Sequence, residues 1–144
     1  MTIAAKLTCL NCGQINRVPV AKIEAGPKCA KCGSALLSGL VTELDVRLHD
    51  KASDHDEIPI IIDYWAPWCG PCRTMAPEFS KAAVKLKTKA RFAKIDTEQH
   101  PELSQRLGIR GIPLLILYSG GREIARLPGA RPAADIEAFV LQNS

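Results

Sequence analysis

The chain has 144 residues, of which 47% are hydrophobic and 24% charged, a composition that excludes disordered and fibrous proteins. Its longest apolar runs, Ile60 to Ile62 and Leu114 to Tyr118, are strand-sized and far below the roughly 20 residues of a membrane span. The formal charge of +4 lies wholly in residues 1 to 40, where Lys6, Arg17, Lys22, Lys28 and Lys31 face Glu24 alone; that head has no aromatic residue to stack on bases, so nucleic acid is not an expected partner.

Two matching hairpin signatures, CLNCG and CAKCG, open the chain, with sixteen residues between Cys12 and Cys29. The interval reads as two brief strands, or as a strand and a turn. A segment this small buries too little apolar surface to fold unaided. Residues 1 to 40 are therefore expected to form a small metal-stabilised domain, followed by a larger one over 41 to 144. Leu40 to Leu44 is a candidate strand and Arg47 to Asp56 a weak helix. Pro59 to Tyr64 is apolar on both faces and hence central in a sheet. Helical spacing runs from Cys69 to about Lys87 through Met75, Phe79, Ala82, Ala83 and Leu86, with a kink expected at Pro77. Phe92 to Asp96 is the next strand. Pro101 to Leu107 is a short helix opened by its proline and closed by Gly108. Leu114 to Ser119 and Glu123 to Pro128 flank Gly120-Gly121 as a hairpin. Asp135 to Gln142 closes the chain as an amphipathic helix with Ile136, Phe139 and Val140 inward. This order describes an α/β fold with a mixed sheet.

The six cysteines are not three equivalent pairs. Cys-x-x-Cys…Cys-x-x-Cys spacing suits four thiolates around one Zn²⁺. A filled set leaves no position for water, so the ion expected on Cys9, Cys12, Cys29 and Cys32 is structural, one per chain. Four thiolates on Zn²⁺ also halve the positive excess of the head. The rival reading has these pairs oxidise to disulfides and eject the metal, making the head a sensor. The start, MTIAAKLTCLNCG, lacks a basic region followed by an apolar core and cleavage site. A cytoplasmic protein is expected, in a compartment where cysteines bind metal or do chemistry more often than they form staples.

Cys69 and Cys72 stand apart in DYWAPWCGPCRTMAP, after a strand and before a helix. A spacing of three on a helix puts Cα atoms about 5 to 5.5 Å apart, inside the range a disulfide bridges. Cys69 falls at the helix N-terminus, where unpaired N–H groups and the dipole favour an anion and lower a thiol pKa from its usual value of about 8.5. It is expected to be the accessible nucleophile, with Cys72 buried one turn in as the resolving thiol. Pro71 suits the first turn, where a missing N–H costs nothing. His49, His55 and His100 show no ligand spacing that would complete a second metal site. Asp63 sits near the end of an otherwise apolar strand. It is either a buried carboxyl of raised pKa that exchanges a proton with Cys72 or a strand-end residue satisfied by backbone. The Pro113 that opens LLILY marks a special turn, since proline cannot sit in a central strand.

DYWAPWCGPC, then FAKID, GIRGIP, the hairpin and PGA, in that order, resemble the thioredoxin family over about residues 41 to 144. The cysteine head resembles that of its zinc-containing bacterial type, thioredoxin 2. The resemblance implies a thioredoxin fold, a central mixed β-sheet flanked by helices, with a small N-terminal zinc-ribbon-like domain. It implies protein-disulfide reductase activity, a thiol–disulfide oxidoreductase without an organic cofactor. It makes Asp63 the buried proton carrier and places Lys94 beside it. It makes the Ile112-Pro113 bond cis and packs it against the cysteine pair, leaving the Ile112 backbone to bond an extended client strand. Trp68, Gly70, Pro71, Gly111 and Gly129 would border the client groove, and Trp65 is left to core packing. The implied partners are disulfide-containing client proteins and NADPH-dependent thioredoxin reductase. The sequence departs from the family at Leu114, where threonine is usual beside the groove, and at Tyr64, where phenylalanine is common. A zinc-dependent binding module or holdase, with the dithiol as its switch, is the alternative function.

Overall fold

The computed structural model describes residues 3–144. In the head, β1 (Ala4–Thr8) pairs antiparallel with β2 (Ile15–Pro19), Leu7 opposite Asn16. A 3₁₀ turn over Val20–Ala25 comes next, and a bridge between Lys28 and Ala35 closes the second cysteine hairpin. β1 precedes the first cysteine pair and was not expected. AAKLT alternates weakly, and it takes up strand geometry because β2 returns alongside it.

The remaining strands form one mixed sheet in the order β3-β5-β4-β6-β7. These are β3 (Thr42–Glu43), β4 (Ile60–Trp65), β5 (Arg91–Asp96), β6 (Leu114–Ser119) and β7 (Arg122–Pro128). β4 runs parallel to β5 and antiparallel to β6, so the all-apolar stretch is central as its pattern requires. β3 is shorter than the expected Leu40 to Leu44. Gly39 turns the chain with φ 73 and leaves Leu40 exposed, so pairing with β5 begins only at Thr42.

Four helices sandwich this sheet. α1 (Val46–His55) is capped by Asp45, whose carboxylate accepts the Leu48 N–H. With α3 (Pro101–Leu107) it covers one face, where Leu48, Ala52 and Leu103 meet Ile60, Ile62, Tyr64 and Ile116. α2 (Gly70–Lys85) and α4 (Ala133–Asn143) cover the other, packing Met75, Phe79, Ile136 and Val140 on Ile61, Phe92, Leu115 and Leu117. Among the described residues no helix is long and apolar enough to cross a membrane.

The head docks on this body through a buried cluster of polar contacts flanked by a more exposed pair. Asp56 accepts the Thr8 N–H (2.8 Å) and pairs with Arg91 at 2.9 Å, while Arg91 also donates to the Thr8 carbonyl. Beside them, the Lys6 N–H reaches the Glu57 carboxylate and the Glu57 N–H reaches the Lys6 carbonyl. Ile58 completes the apolar cluster of the head with Leu7, Val18, Leu36 and Leu37.

Candidate active site and metal centre

The chain leaves β4 at Trp65 and reaches Cys69 at the mouth of α2. Cys69 is the N-cap residue itself, one position outside the helix, and its sulfur accepts the Cys72 N–H at 3.2 Å. Gly70 and Pro71 form the first turn, where the proline leaves no donor unmet. Cys69 and Cys72 are joined as a disulfide with Cα atoms 5.3 Å apart. The expected contrast in accessibility is small in this oxidised state, with Cys69 4% and Cys72 2% exposed. The asymmetry lies in hydrogen bonding: a helix-terminal N–H points at one sulfur, and Cys72 sits inside the turn that supplies it.

The neighbours of the pair come from three loops. Trp68 stands 67% exposed beside it. The Ile112-Pro113 bond is cis, and the Ile112 carbonyl lies 3.8 Å from the Cys69 sulfur. Gly129, at φ 86, donates its N–H to the Pro113 carbonyl at 3.0 Å. Gly111, Ile112, Pro113, Leu114 and Gly129 line one open groove of about 500 Å³.

On β4, Asp63 is 3% exposed and its Oδ1 has no hydrogen-bond partner. Burial pushes its pKa up to about 7; the Lys94 ammonium opposes that rise and the Glu43 carboxylate adds to it. A pocket of about 340 Å³ opens beside the carboxyl, lined by Leu40, Val41, Ala76, Phe79, Ser80 and Lys94. The strand-end alternative, a carboxylate satisfied by backbone, does not describe this group. Lys94 is on the same strand level as Asp63, yet the carboxylate it meets is Glu43, at 4.0 Å.

Two residues of this site were not anticipated. Trp65 is no simple core residue: it packs on the cluster of Ala66, Cys69 and Cys72, donates its indole N–H to Glu43 at 3.2 Å and carries the Lys94 ammonium 4.7 Å above its ring. Glu43 drew no attention in the sequence, because its significance depends on which strand lies next to β3, and local pattern is silent on that.

In the head, each Cys-x-x-Cys closes a knuckle of the same build. Gly13 donates its N–H to the Cys9 carbonyl and Gly33 to that of Cys29, and both glycines take positive φ, 85 and 79. The four sulfurs of Cys9, Cys12, Cys29 and Cys32 lie within 4.8 Å of one another, with Cys9–Cys32 and Cys12–Cys29 both at 3.6 Å. A tetrahedral ion with bonds of about 2.3 Å requires sulfurs about 3.8 Å apart, so this donor set fits zinc.

Comparison with known proteins agrees with both halves. The family model for thioredoxin matches residues 41–142, and the model described as "Thioredoxin 2, N-terminal", a zinc ribbon, matches residues 8–34. Thioredoxin C-3 of Corynebacterium nephridii is 39% identical over 137 residues, 95% of this chain and 94% of that protein. A thioredoxin of Alicyclobacillus acidocaldarius is 42% identical over 80 residues, 56% of this chain and 76% of its own. The crystal structure of chloroplastic thioredoxin z superposes with a TM-score of 0.67 at 29% identity, covering 72% of this chain and 93% of that one. The cysteine pair capping a helix below a cis-proline loop, the sheet order and these likenesses converge: the chain belongs to the thioredoxin family and is a thiol–disulfide oxidoreductase with a zinc-ribbon head.

Proposed function

We propose that this protein reduces disulfides of client proteins in the cytoplasm, with residues 41–144 as the redox domain and residues 1–40 as a domain held by one structural Zn²⁺. The observation that carries the reading is the Cys72 N–H directed at the Cys69 sulfur from the first turn of α2. In the reduced protein that donor and the helix terminus stabilise a thiolate at residue 69. The Cys69 thiolate attacks one sulfur of a client disulfide, and the other client sulfur leaves as a thiolate. Cys72 then attacks Cys69, re-forming the internal disulfide and releasing the second client thiolate. Two electrons pass from the dithiol to the client. Asp63, with its pKa near 7, accepts the Cys72 thiol proton as that sulfur becomes nucleophilic and returns it to the departing client. The groove along Ile112 and Gly129 holds the client backbone.

NADPH-dependent thioredoxin reductase is the partner this family membership implies for recharging the dithiol. Cys9, Cys12, Cys29 and Cys32 would hold Zn²⁺, which would cross-link the two knuckles of the head and take no part in electron transfer. The test is a pair of substitutions. Cys69→Ser abolishes insulin disulfide reduction, and Cys72→Ser accumulates covalent mixed disulfides with oxidised clients. Unchanged turnover in either variant rejects the reading.

A further inference from the structure

Three neighbouring strands bring three charged side chains to one level of the sheet. Glu43 on β3 is in register with Lys94 on β5, and Lys94 is in register with Asp63 on β4. Partners in a parallel ladder project to the same face, so the ammonium stands in a row between two carboxyl groups and can approach either one. It is committed to the outer one. Glu43 lies 4.0 Å from the Lys94 Nζ through Oε1 and accepts the Trp65 N–H through Oε2, while Trp65 presents its ring to the same ammonium. Asp63 is left without a cationic partner among the described residues.

We propose that Glu43 is a positioning residue of the redox site: by gripping Trp65 with one oxygen and facing Lys94 with the other, it holds the ammonium over the indole and away from the Asp63 carboxyl. The consequence is chemical. An ammonium in contact with Asp63 would hold it ionised and strip it of the ability to carry a proton at neutral pH. Glu43 and Lys94 are partly exposed, 46% and 35%, so their mutual attraction alone is modest. Trp65 adds what solvent screening removes: a hydrogen bond to fix the carboxylate and a ring face to seat the cation. The other surroundings of Asp63 carry no fixed charge. α2 faces it with Ala76, Phe79 and Ser80, and β6 with Leu115; once the disulfide is reduced, the thiols of Cys69 and Cys72 are the remaining titratable neighbours.

The inference rests on Asp63 being the proton carrier proposed above, and its test does not depend on turnover. The Asp63 carboxyl carbon is titrated by ¹³C NMR in the full-length protein, with Glu43→Gln, which keeps a Trp65 acceptor and drops the charge. The expected result is at least about a threefold loss of proton affinity at Asp63 in the variant. In a Lys94→Met background the same substitution should produce less than half that loss, because no ammonium is left to swing inward. Glu43→Asp, which retains the charge, should restore part of the affinity. A smaller loss in Glu43→Gln, a gain, or an equal loss with and without Lys94 overturns the proposal. A parent protein that fails to reduce insulin sinks the reductase reading instead, and the titration still decides the role of Glu43.

Discussion

The chain uses one spacing for two chemistries, and the zinc knuckles and the redox pair differ less at the cysteines than in the backbone immediately beyond them. In both settings a backbone N–H inside the loop points at the first sulfur: Cys12 N–H to Cys9 at 3.5 Å, Cys72 N–H to Cys69 at 3.2 Å. In the head, Gly13 and Gly33 then take positive φ and turn the chain back, which brings a second pair within bonding reach and completes a set of four. After Cys72 the chain continues as helix to Lys85. Among the described residues no second cysteine pair of the chain joins them, and Cys69 and Cys72 pair with each other. A Cys-x-x-Cys loop therefore presents sulfur to donors in either case. The conformation one residue later decides whether four sulfurs gather or two pair.

The strongest way to break this comparison is to remove the metal. Structural zinc supplies on the order of 10 kcal/mol to small domains of this kind, and the apolar cluster of the head is only a few residues strong. Chelation under reducing conditions should abolish amide-exchange protection at Leu7 and Val18 while Ile61 and Ile116 stay protected and disulfide reduction persists. Parallel loss of both would mean that the two kinds of pair form one cooperative unit, contrary to the separate roles drawn from their geometry.

A smaller effect is expected where the two regions join. Asp56 is buried with Arg91, and each also bonds the Thr8 backbone, next to the first zinc-ligating position. Removing one member of a buried ion pair leaves the other charge uncompensated and costs about 3 to 5 kcal/mol. Asp56→Ala should show a loss of that size in urea denaturation and should loosen the head in hydrogen exchange. The double variant Asp56→Leu/Arg91→Met should lose less than the single one. If Asp56→Ala changes the stability by under about 1 kcal/mol, the seam between head and body is not held by this pair.

Both cysteine arrangements were legible in the residues themselves, because each depends on local order. CGPC before a helical pattern, proline ahead of LLILY and a paired Cys-x-x-Cys-Gly are short-range signals, and Gly13, Gly33 and Pro71 act where they stand. The central place of β4 was legible too, since Ile60, Ile61 and Ile62 put apolar side chains on both faces. What could not be read depends on which elements meet. Arg91, outside the expected strand from Phe92, and Asp56, at the end of an expected weak helix, look like surface charges until β1 is laid between them. Trp65 reads as an ordinary core aromatic until β3 brings Glu43 to its indole. The low exposure of Cys69 in the oxidised state has a related cause: Ile112 arrives from more than forty residues away and packs beside the sulfur.

The least dramatic measurement separates the two regions most sharply, because one should lend stability and the other consume it. The folded-state pKa of Asp63, about 7, lies above the ordinary carboxyl value of about 3.9. Between those values the native protein keeps a proton that the unfolded chain has released, so stability falls as pH rises through the interval. The gap corresponds to at most about 4 kcal/mol, fully developed above pH 7 and absent below about pH 4. Asp63→Asn has nothing to ionise. Measured against the parent by urea denaturation, its relative stability should therefore be about 2 to 4 kcal/mol greater at pH 8 than at pH 4, while disulfide reduction slows. A pH-independent difference would show that the carboxyl does not titrate inside the fold, and the proton-carrying role would fall with it. Removing zinc should do the reverse, weakening the protein at neutral pH, where thiolates bind the ion most tightly. On the proposed function, the metal centre is a source of folding energy, whereas the redox site keeps a buried acid at the expense of stability so that a proton is held out of water.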